Sequence, residues 1–344
     1  MIIRSKAPLR LGLAGGGTDV SPYSDLYGGA ILNATINLFA YCHIEPTDGG
    51  CIELNFVEKK LKKQFSITDY LTIDDDDDFV LIKGVYNFLM QQYNLTPCGC
   101  IITTFADAPA GSGLGTSSTM VVAILGAFAE WWKLPLGEYD LAHLAFKIER
   151  EYLNMAGGKQ DQYAAAFGGV NFMEFMNDDK VIVNPLRIKI QTLNELENNL
   201  LLYYTETSRV SSKIIETQKN NVKSLKSISI DAMHELKKQA FSMKETLLKG
   251  KIDELGAILD ISWKSKKHMA EGISNPMIDE LYTTAMSVGA TGGKISGAGG
   301  GGHMILYCPG TRRYDVMKEV EARHGGRFIK FSFTKNGLNT WVTE

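Results

Sequence analysis

The stretch Pro109-Ala-Gly-Ser-Gly-Leu-Gly-Thr-Ser-Ser-Thr119 decides how this chain is read. Before it, Cys100 to Phe105 is rich in β-branched residues, which predicts a strand. After it, Ser117 to Trp132 is apolar almost all round, the mark of a buried helix. The unit is strand, glycine loop, buried helix. Glycines at 111, 113 and 115 allow backbone N–H groups to converge on one point. The helix start adds its free N–H groups and the positive end of its dipole. Such a cradle suits a di- or triphosphate, and the hydroxyls of Thr116, Ser117, Ser118 and Thr119 are available to phosphate or Mg²⁺. No Gly-Lys-Ser/Thr follows, so the loop is not of the Walker type. The glycine spacing also differs from the dinucleotide fingerprint, which needs an acidic residue about 20 positions on.

Working outward, a second glycine-rich stretch runs Lys294-Ile-Ser-Gly-Ala-Gly-Gly-Gly-Gly-His303. Consecutive glycines carry an entropic cost on the order of a few kcal/mol, so this loop is expected to let something approach closely. Near the N-terminus, Ala7-Pro-Leu-Arg10 and Gly15-Gly-Gly-Thr-Asp19 place a cation and a carboxylate on either side of a glycine turn. Tyr139 to Tyr152 has helical spacing, with Leu141, Ala145, Ile148 and Tyr152 on one stripe. At about 100° per residue Glu149 falls at the edge of that stripe and Arg150 points away from it. Gly157-Gly158 ends the helix, and Asp161 follows in the next segment.

The remaining chain fits a soluble globular protein. Its 344 residues exceed what one core usually serves, so two domains are expected. The chain turns polar from Asn184 to Glu197, which puts the boundary at residues 190/191, giving domains of 1–190 and 191–344. Strands are expected at Ser5–Leu13, Ala30–Ile44, Cys51–Val57, Leu200–Thr205, His303–Tyr307 and Arg327–Phe333. Helices are expected at Val80–Tyr93, Val210–Lys223, Ser229–Lys249, Asp253–Ala270 and Asn275–Ser287. The run Asp74 to Asp78 reads as a solvated loop. A net charge of -3 is too mild for a nucleic-acid partner. No apolar run approaches the roughly 18 to 20 residues of a membrane span, and the first residues carry no secretory pattern. Five cysteines in no metal or CxxC spacing read as reduced thiols, so the expected location is the cytoplasm.

Taken together, the four pieces resemble the GHMP kinases, a family that includes galactokinase and mevalonate kinase. Its central motif, PxGxGLGSSxA, is matched by Pro109 to Thr119, and its GAGGGG motif is present whole at Gly297 to Gly302. The resemblance implies an α+β fold with a ribosomal-protein-S5-domain-2-like N-terminal domain and a ferredoxin-like C-terminal domain. It implies an ATP- and Mg²⁺-dependent small-molecule kinase, with ATP bound by Pro109, Gly111, Ser112, Gly113, Leu114, Gly115, Thr116, Ser117 and Ser118. Ser117 and Glu149 fall on the family's Mg²⁺ ligands. Asp161 falls on the general base, and Arg10 on the basic residue that supports the transferred phosphoryl group.

Substrate contacts are expected from Gly16, Gly17, Thr18 and Asp19, and from Gly297, Gly299 and Gly300. A sugar phosphate also needs cations, for which Lys159 and Arg209 are the candidates. Galactokinases have Glu-His where Gly16-Gly17 stands, which speaks against galactose. Residues 7 to 36 instead resemble the heptose phosphate kinase branch, whose members phosphorylate the anomeric hydroxyl of D-glycero-D-manno-heptose 7-phosphate on the way to GDP-heptose and surface glycans. Fucose-type kinases are rivals, as is an ATP-dependent decarboxylase of the same fold. A homodimer is compatible with the sequence.

Overall fold

The structure is a computed structural model that describes residues 1–206 and 211–344. The chain opens with two long antiparallel strands, β1 (Ile2–Ala14) and β2 (Gly29–Pro46), joined through the short helix α1 (Tyr23–Tyr27). The hairpin β3 (Cys51–Phe56) and β4 (Leu61–Ser66) follows, then α2 (Val80–Tyr93) and β5 (Cys100–Ala106). The glycine loop leads into α3 (Thr116–Trp131). Next come α4 (Glu138–Phe146), a π-helical turn at Lys147–Tyr152, α5 (Gln160–Phe167), β6 (Val170–Phe175) and β7 (Val181–Pro185).

The second half comprises α6 (Ile190–Asn199), β8 (Leu200–Tyr204), α7 (Ser211–Lys223), α8 (Ser227–Leu248) and α9 (Leu255–Lys266). It continues through α10 (Pro276–Ser287), β9 (Gly292–Ile295), β10 (His303–Tyr307), α11 (Arg313–His324), β11 (Arg327–Ile329) and β12 (Asn339–Thr343).

Among the described residues the strands form two sheets. The larger runs β12-β1-β2-β5-β3-β4, and β6 with β7 extends it from the first half of β2. The smaller is antiparallel in the order β11-β8-β10-β9. Numbered within its own half, that order is 4-1-3-2, the ferredoxin-like arrangement that the resemblance implies. The final strand β12 pairs with β1, so residues 339–343 belong to the first sheet although they lie in the second half of the chain. A single cut at 190/191 therefore does not separate the two sheets completely. Residue 190 is also the first residue of α6, a helix in a stretch expected to be a boundary.

A register shift between Pro8 and Arg10 divides the work along β1, because it moves residues of one parity from one face to the other. Ile3 and Ala7 enter the core beneath α2, α3 and α4, whereas Leu9, Leu11 and Leu13 enter a second core with Leu202, Met243, Leu247, Ile305 and Tyr307. This second core joins the two sheets. Arg10 has the opposite parity and faces away from it, as successive strand residues must. A register shift between Pro8 and Arg10 marks the strand just where the site begins, a common position for a bulge that aims a side chain.

The acidic run is less solvated than its sequence suggests. The Asp77 side chain is 4% exposed and pairs with the ammonium group of Lys83, which is fully buried, donates to Thr72 O at 2.7 Å and lies 4.9 Å from the Phe65 ring. Burial opposes ionisation of Asp77, but Lys83 and the Phe79 amide hold its pKa below the usual value. No described helix is long and apolar enough to cross a membrane.

Candidate active site

A cleft of about 830 Å³ opens between the glycine loop, the Gly15–Gly17 turn, α7 and the end of α9. Gly111, Gly113, Gly115 and Thr116 to Ser118 line one wall, and Glu149, Arg150 and Asn154 to Asp161 line another. Gly111, Gly113 and Gly115 all have positive φ, and Gly115 is the residue from which α3 starts. The loop thus has the tight glycine turns its sequence predicts, with the N-terminus of a buried helix directly after it.

The second glycine run supports this loop from behind. A Cβ on Gly113 would lie 2.5 Å from Ser296 O, and one on Gly302 would lie 2.5 Å from Ser112 O. Ser296 Oγ donates to Gly113 O at 2.8 Å, and His303 donates to Ser112 O through its backbone N at 3.0 Å and its Nδ1 at 2.8 Å. Burial pushes the His303 pKa down to about 4, so the ring is neutral at physiological pH. What the glycine run admits closely is the phosphate loop itself.

At the centre, Arg10 Nε and Nη2 both reach Asp161 Oδ1 at 2.7 Å, and Arg10 Nη1 donates to Gly113 O at 2.6 Å. Asp161 Oδ2 makes no hydrogen bond among the described residues. Asp161 sits in the first turn of α5, packed against Gly115. Asp19 is buried and accepts from Gln160 N at 3.0 Å and Gln160 Nε2 at 3.4 Å. Burial pushes its carboxyl above the usual range; the Gln160 amide opposes this and the Asp161 charge adds to it. A Cβ on Gly158 would stand 2.0 Å from Asp19 Oδ2, so only glycine fits there.

The π-turn changes how residues 149 and 150 face. Glu149 is buried and accepts from Gln162 Nε2 at 2.7 Å, while Arg150 Nη1 lies 3.1 Å from Glu149 Oε1. Arg150 does not point away, as α-helical spacing predicts. Its Nη2 donates to Ser118 Oγ at 3.1 Å, and it lines the cleft. The i→i+5 turn re-indexes the helix at this point, a local feature frequent at functional sites.

Residues 80–169 match the family described as GHMP kinases N terminal domain, and residues 243–325 match GHMP kinases C terminal. The chain is 44% identical over 340 residues to a D-glycero-alpha-D-manno-heptose 7-phosphate kinase of Campylobacter jejuni, covering 98% of each. This protein belongs to the GHMP kinase family. The GHMP kinase is also similar to the solved structure of a D-glycero-D-manno-heptose 1-phosphate kinase from Bacteroides thetaiotaomicron, with TM-score 0.84, 46% identity and 99% of each chain covered. A Lactococcus lactis galactokinase complexed with galactose shares the fold, with TM-score 0.79 at 18% identity over 98% of this chain and 95% of that one. The family places the chain among ATP-dependent kinases, as its glycine motifs imply.

Within this GHMP kinase the expected residues divide clearly. Arg10, Asp19, Gly16, Gly17, Glu149, Asp161, Ser117 and Gly297 all line the cleft. Lys159 lines it too, but its ammonium group is taken by Asp179 at 2.6 Å and Asp25 at 3.7 Å, so it is not a free cation for a substrate phosphate. Thr18 is turned inward, donating to Gly15 O and Ala30 O, and holds the turn together. Gly299 and Gly300 are also a correction: Gly299 packs against Ile273 and Gly300 N donates to Ile273 O at 2.9 Å, both away from the cleft. Leu114 and Ser112 are fully buried under the loop. Arg209 lies outside the described residues.

Sequence reasoning missed Lys266, which lines the cleft from the end of α9. It also missed Gln160 and Gln162, which hold Asp19 and Glu149. Their only sequence signal was nearness to Asp161.

Proposed function

We propose that this kinase transfers the terminal phosphoryl group of ATP to the anomeric hydroxyl of D-glycero-D-manno-heptose 7-phosphate, giving the 1,7-bisphosphate and ADP. The acceptor class is supported by the full-length similarity to heptose phosphate kinases. The observation that carries the chemistry is the Arg10–Asp161 contact at the cleft, which engages Asp161 Oδ1 and leaves Oδ2 without a hydrogen bond among the described residues.

The chain's own groups supply the rest. Amides of the Gly111–Gly115 loop and the start of α3 bind the nucleotide phosphates. Asp161 Oδ2 accepts the proton of the acceptor hydroxyl as that oxygen bonds to the γ-phosphorus and the bond from that phosphorus to the β,γ-bridging oxygen breaks. Asp19, fixed by Gln160, orients the sugar. Arg10 keeps Asp161 in place and brings positive charge to the same point. Catalysis of phosphoryl transfer is mostly positioning and charge neutralisation, which suits this inventory.

The donor set also suits Mg²⁺, which keeps several waters and takes one or two carboxylates plus substrate phosphates. Ser117 at the loop and Glu149, whose oxygens are held by Arg150 and Gln162 in this structure, would hold it. When bound, the ion supplies charge neutralisation for the β- and γ-phosphates. Among the described residues no cluster of three or more acidic, His or Cys side chains competes for that role. A cytoplasmic setting is supported by five free cysteines.

The test is ATP turnover against heptose 7-phosphate, mannose, fucose, galactose and mevalonate. Strong preference for the heptose phosphate is expected. Turnover of fucose with none of the heptose phosphate would overturn the acceptor assignment.

A further inference from the structure

Lys266 and Lys294 are two lysines that ordinary packing does not account for. Each is only 3% exposed. Lys266 donates to Gly297 O and Lys294 donates to Gly12 O, and neither has an ion pair among the described residues. An ammonium group carries three N–H donors, so each uses one and leaves two. A Cβ on Gly16 would stand 4.0 Å from both Nζ atoms, so both amino groups lie beside the Gly15–Gly17 turn. Arg10 adds a third cation nearby, and its charge bears on both lysines.

Buried charges are normally paired, because desolvation penalises an isolated ion heavily. Desolvation lowers the pKa of Lys266 to about 8 and that of Lys294 well below its usual value. Asp19 is the carboxylate that acts on Lys266, but it is itself held by Gln160. Two buried lysine amino groups, each with one hydrogen bond among the described residues, therefore lie at the inner end of the site, and Lys266 opens onto the cleft.

We infer that Lys266, backed by Lys294, forms a subsite for a phosphate oxyanion at the inner end of the cleft. This rests on the proposed sugar-phosphate acceptor for its biological source, though the oxyanion itself has two sources. One is the ester phosphate that the acceptor already carries. The other is the phosphoryl group in transit. The subsite takes over the role that Lys159, neutralised by two carboxylates, cannot fill.

The experiment uses the full-length protein with Lys266→Met, Lys266→Arg and, separately, Lys294→Met. Inorganic phosphate is titrated calorimetrically into the protein without nucleotide, and steady-state kinetics are run with ATP and heptose 7-phosphate. Saturable phosphate binding is expected, weakened at least tenfold by Lys266→Met and partly kept by Lys266→Arg. A tenfold or greater rise in KM for the sugar phosphate at constant kcat and constant KM for ATP identifies the ester phosphate as the occupant. A matching fall in kcat with both KM values held identifies the phosphoryl group in transit.

Because a buried unpaired charge is removed, ligand-free Lys266→Met should melt no lower than the parent. A clearly lower melting temperature would show a structural lysine and overturn the subsite. So would unchanged phosphate binding together with unchanged kinetics. Phosphate binding that depends on Lys266 without any turnover of heptose 7-phosphate would remove the acceptor assignment and leave the subsite standing.

Discussion

Arg10 grips Asp161 by a single oxygen. Both Nε and Nη2 reach Oδ1 at 2.7 Å, while Nη1 reaches Gly113 O in the phosphate loop. One guanidinium thus ties the carboxylate to the glycine loop, and the second carboxylate oxygen is the one proposed to face the acceptor hydroxyl.

Replacing Asp161 by Asn preserves the shape and removes the proton acceptor. General-base work typically contributes roughly 10²- to 10⁴-fold. A fall of that size in kcat is expected, with ATP affinity retained in a nucleotide-binding titration. Near-normal turnover would remove Asp161 from the role.

An Arg10→Lys variant keeps the charge but cannot make the forked contact. Misplacement of a reacting group by about 1 Å costs on the order of 10²-fold. The expected outcome is a kcat lowered by about that factor in a protein with an unchanged melting temperature. Wild-type kcat would separate Arg10 from the positioning of Asp161.

Gly113 has φ of +85°, and a Cβ there would meet Ser296 O at 2.5 Å. The obstructing atoms are backbone, so they do not yield easily. Gly113→Ala is expected to destabilise the protein by about 1 to 3 kcal/mol, read from denaturant unfolding, and to weaken nucleotide binding together with it.

Asp77 and Lys83 form a buried ion pair far from the glycine motifs in sequence. Breaking such a pair from one side leaves an uncompensated charge, which costs about 3 to 5 kcal/mol. Asp77→Ala should show a loss of that order. Lys83→Met leaves only a carboxylate that can protonate, and should lose less. Equal stability of Asp77→Ala and the parent in urea titrations would contradict the burial of this pair.

Lys266 makes a pH prediction for the ligand-free protein. Its pKa is about 8 in the folded protein, against 10.5 for an ordinary exposed lysine such as the unfolded chain presents. Between those values the unfolded chain binds more protons than the folded one, so stability rises as pH climbs from about 8 towards 10.5. At about 1.4 kcal/mol per unit the full gain is on the order of 3 kcal/mol. Lys266→Met should flatten the rise relative to the parent, as measured by chemical denaturation across that range.

The glycine loop and its helix were legible because their signals are local. Three alternating glycines before a continuous apolar helix can only be a tight backbone cradle, and α3 begins at Thr116 after Gly115, within a residue of the expected start. Asp161 and Glu149 came from motif order, and both line the cleft. The facing of Arg150 was not legible, because a π-turn has no clear composition signature and shifts every residue after it. The role of Gly299 and Gly300 was misread for a related reason: glycine reports that something comes close, but not what does.

By itself the sequence determined the glycine loop, a second glycine run of close approach, the α+β fold and the identity of the central carboxylates. Each of these depends on residues that are neighbours along the chain or on motif order. Only the tertiary structure decided which cations are free. Lys159 is claimed by Asp25 and Asp179, whereas Lys266 and Lys294 are buried together without a carboxylate of their own among the described residues. The return of β12 to β1 was likewise invisible, since it pairs Ile2 with Thr343 across the whole chain. The physical reason is the same in both cases. Charge pairing and strand pairing are settled by distance in space, and spacing along the sequence does not set that distance.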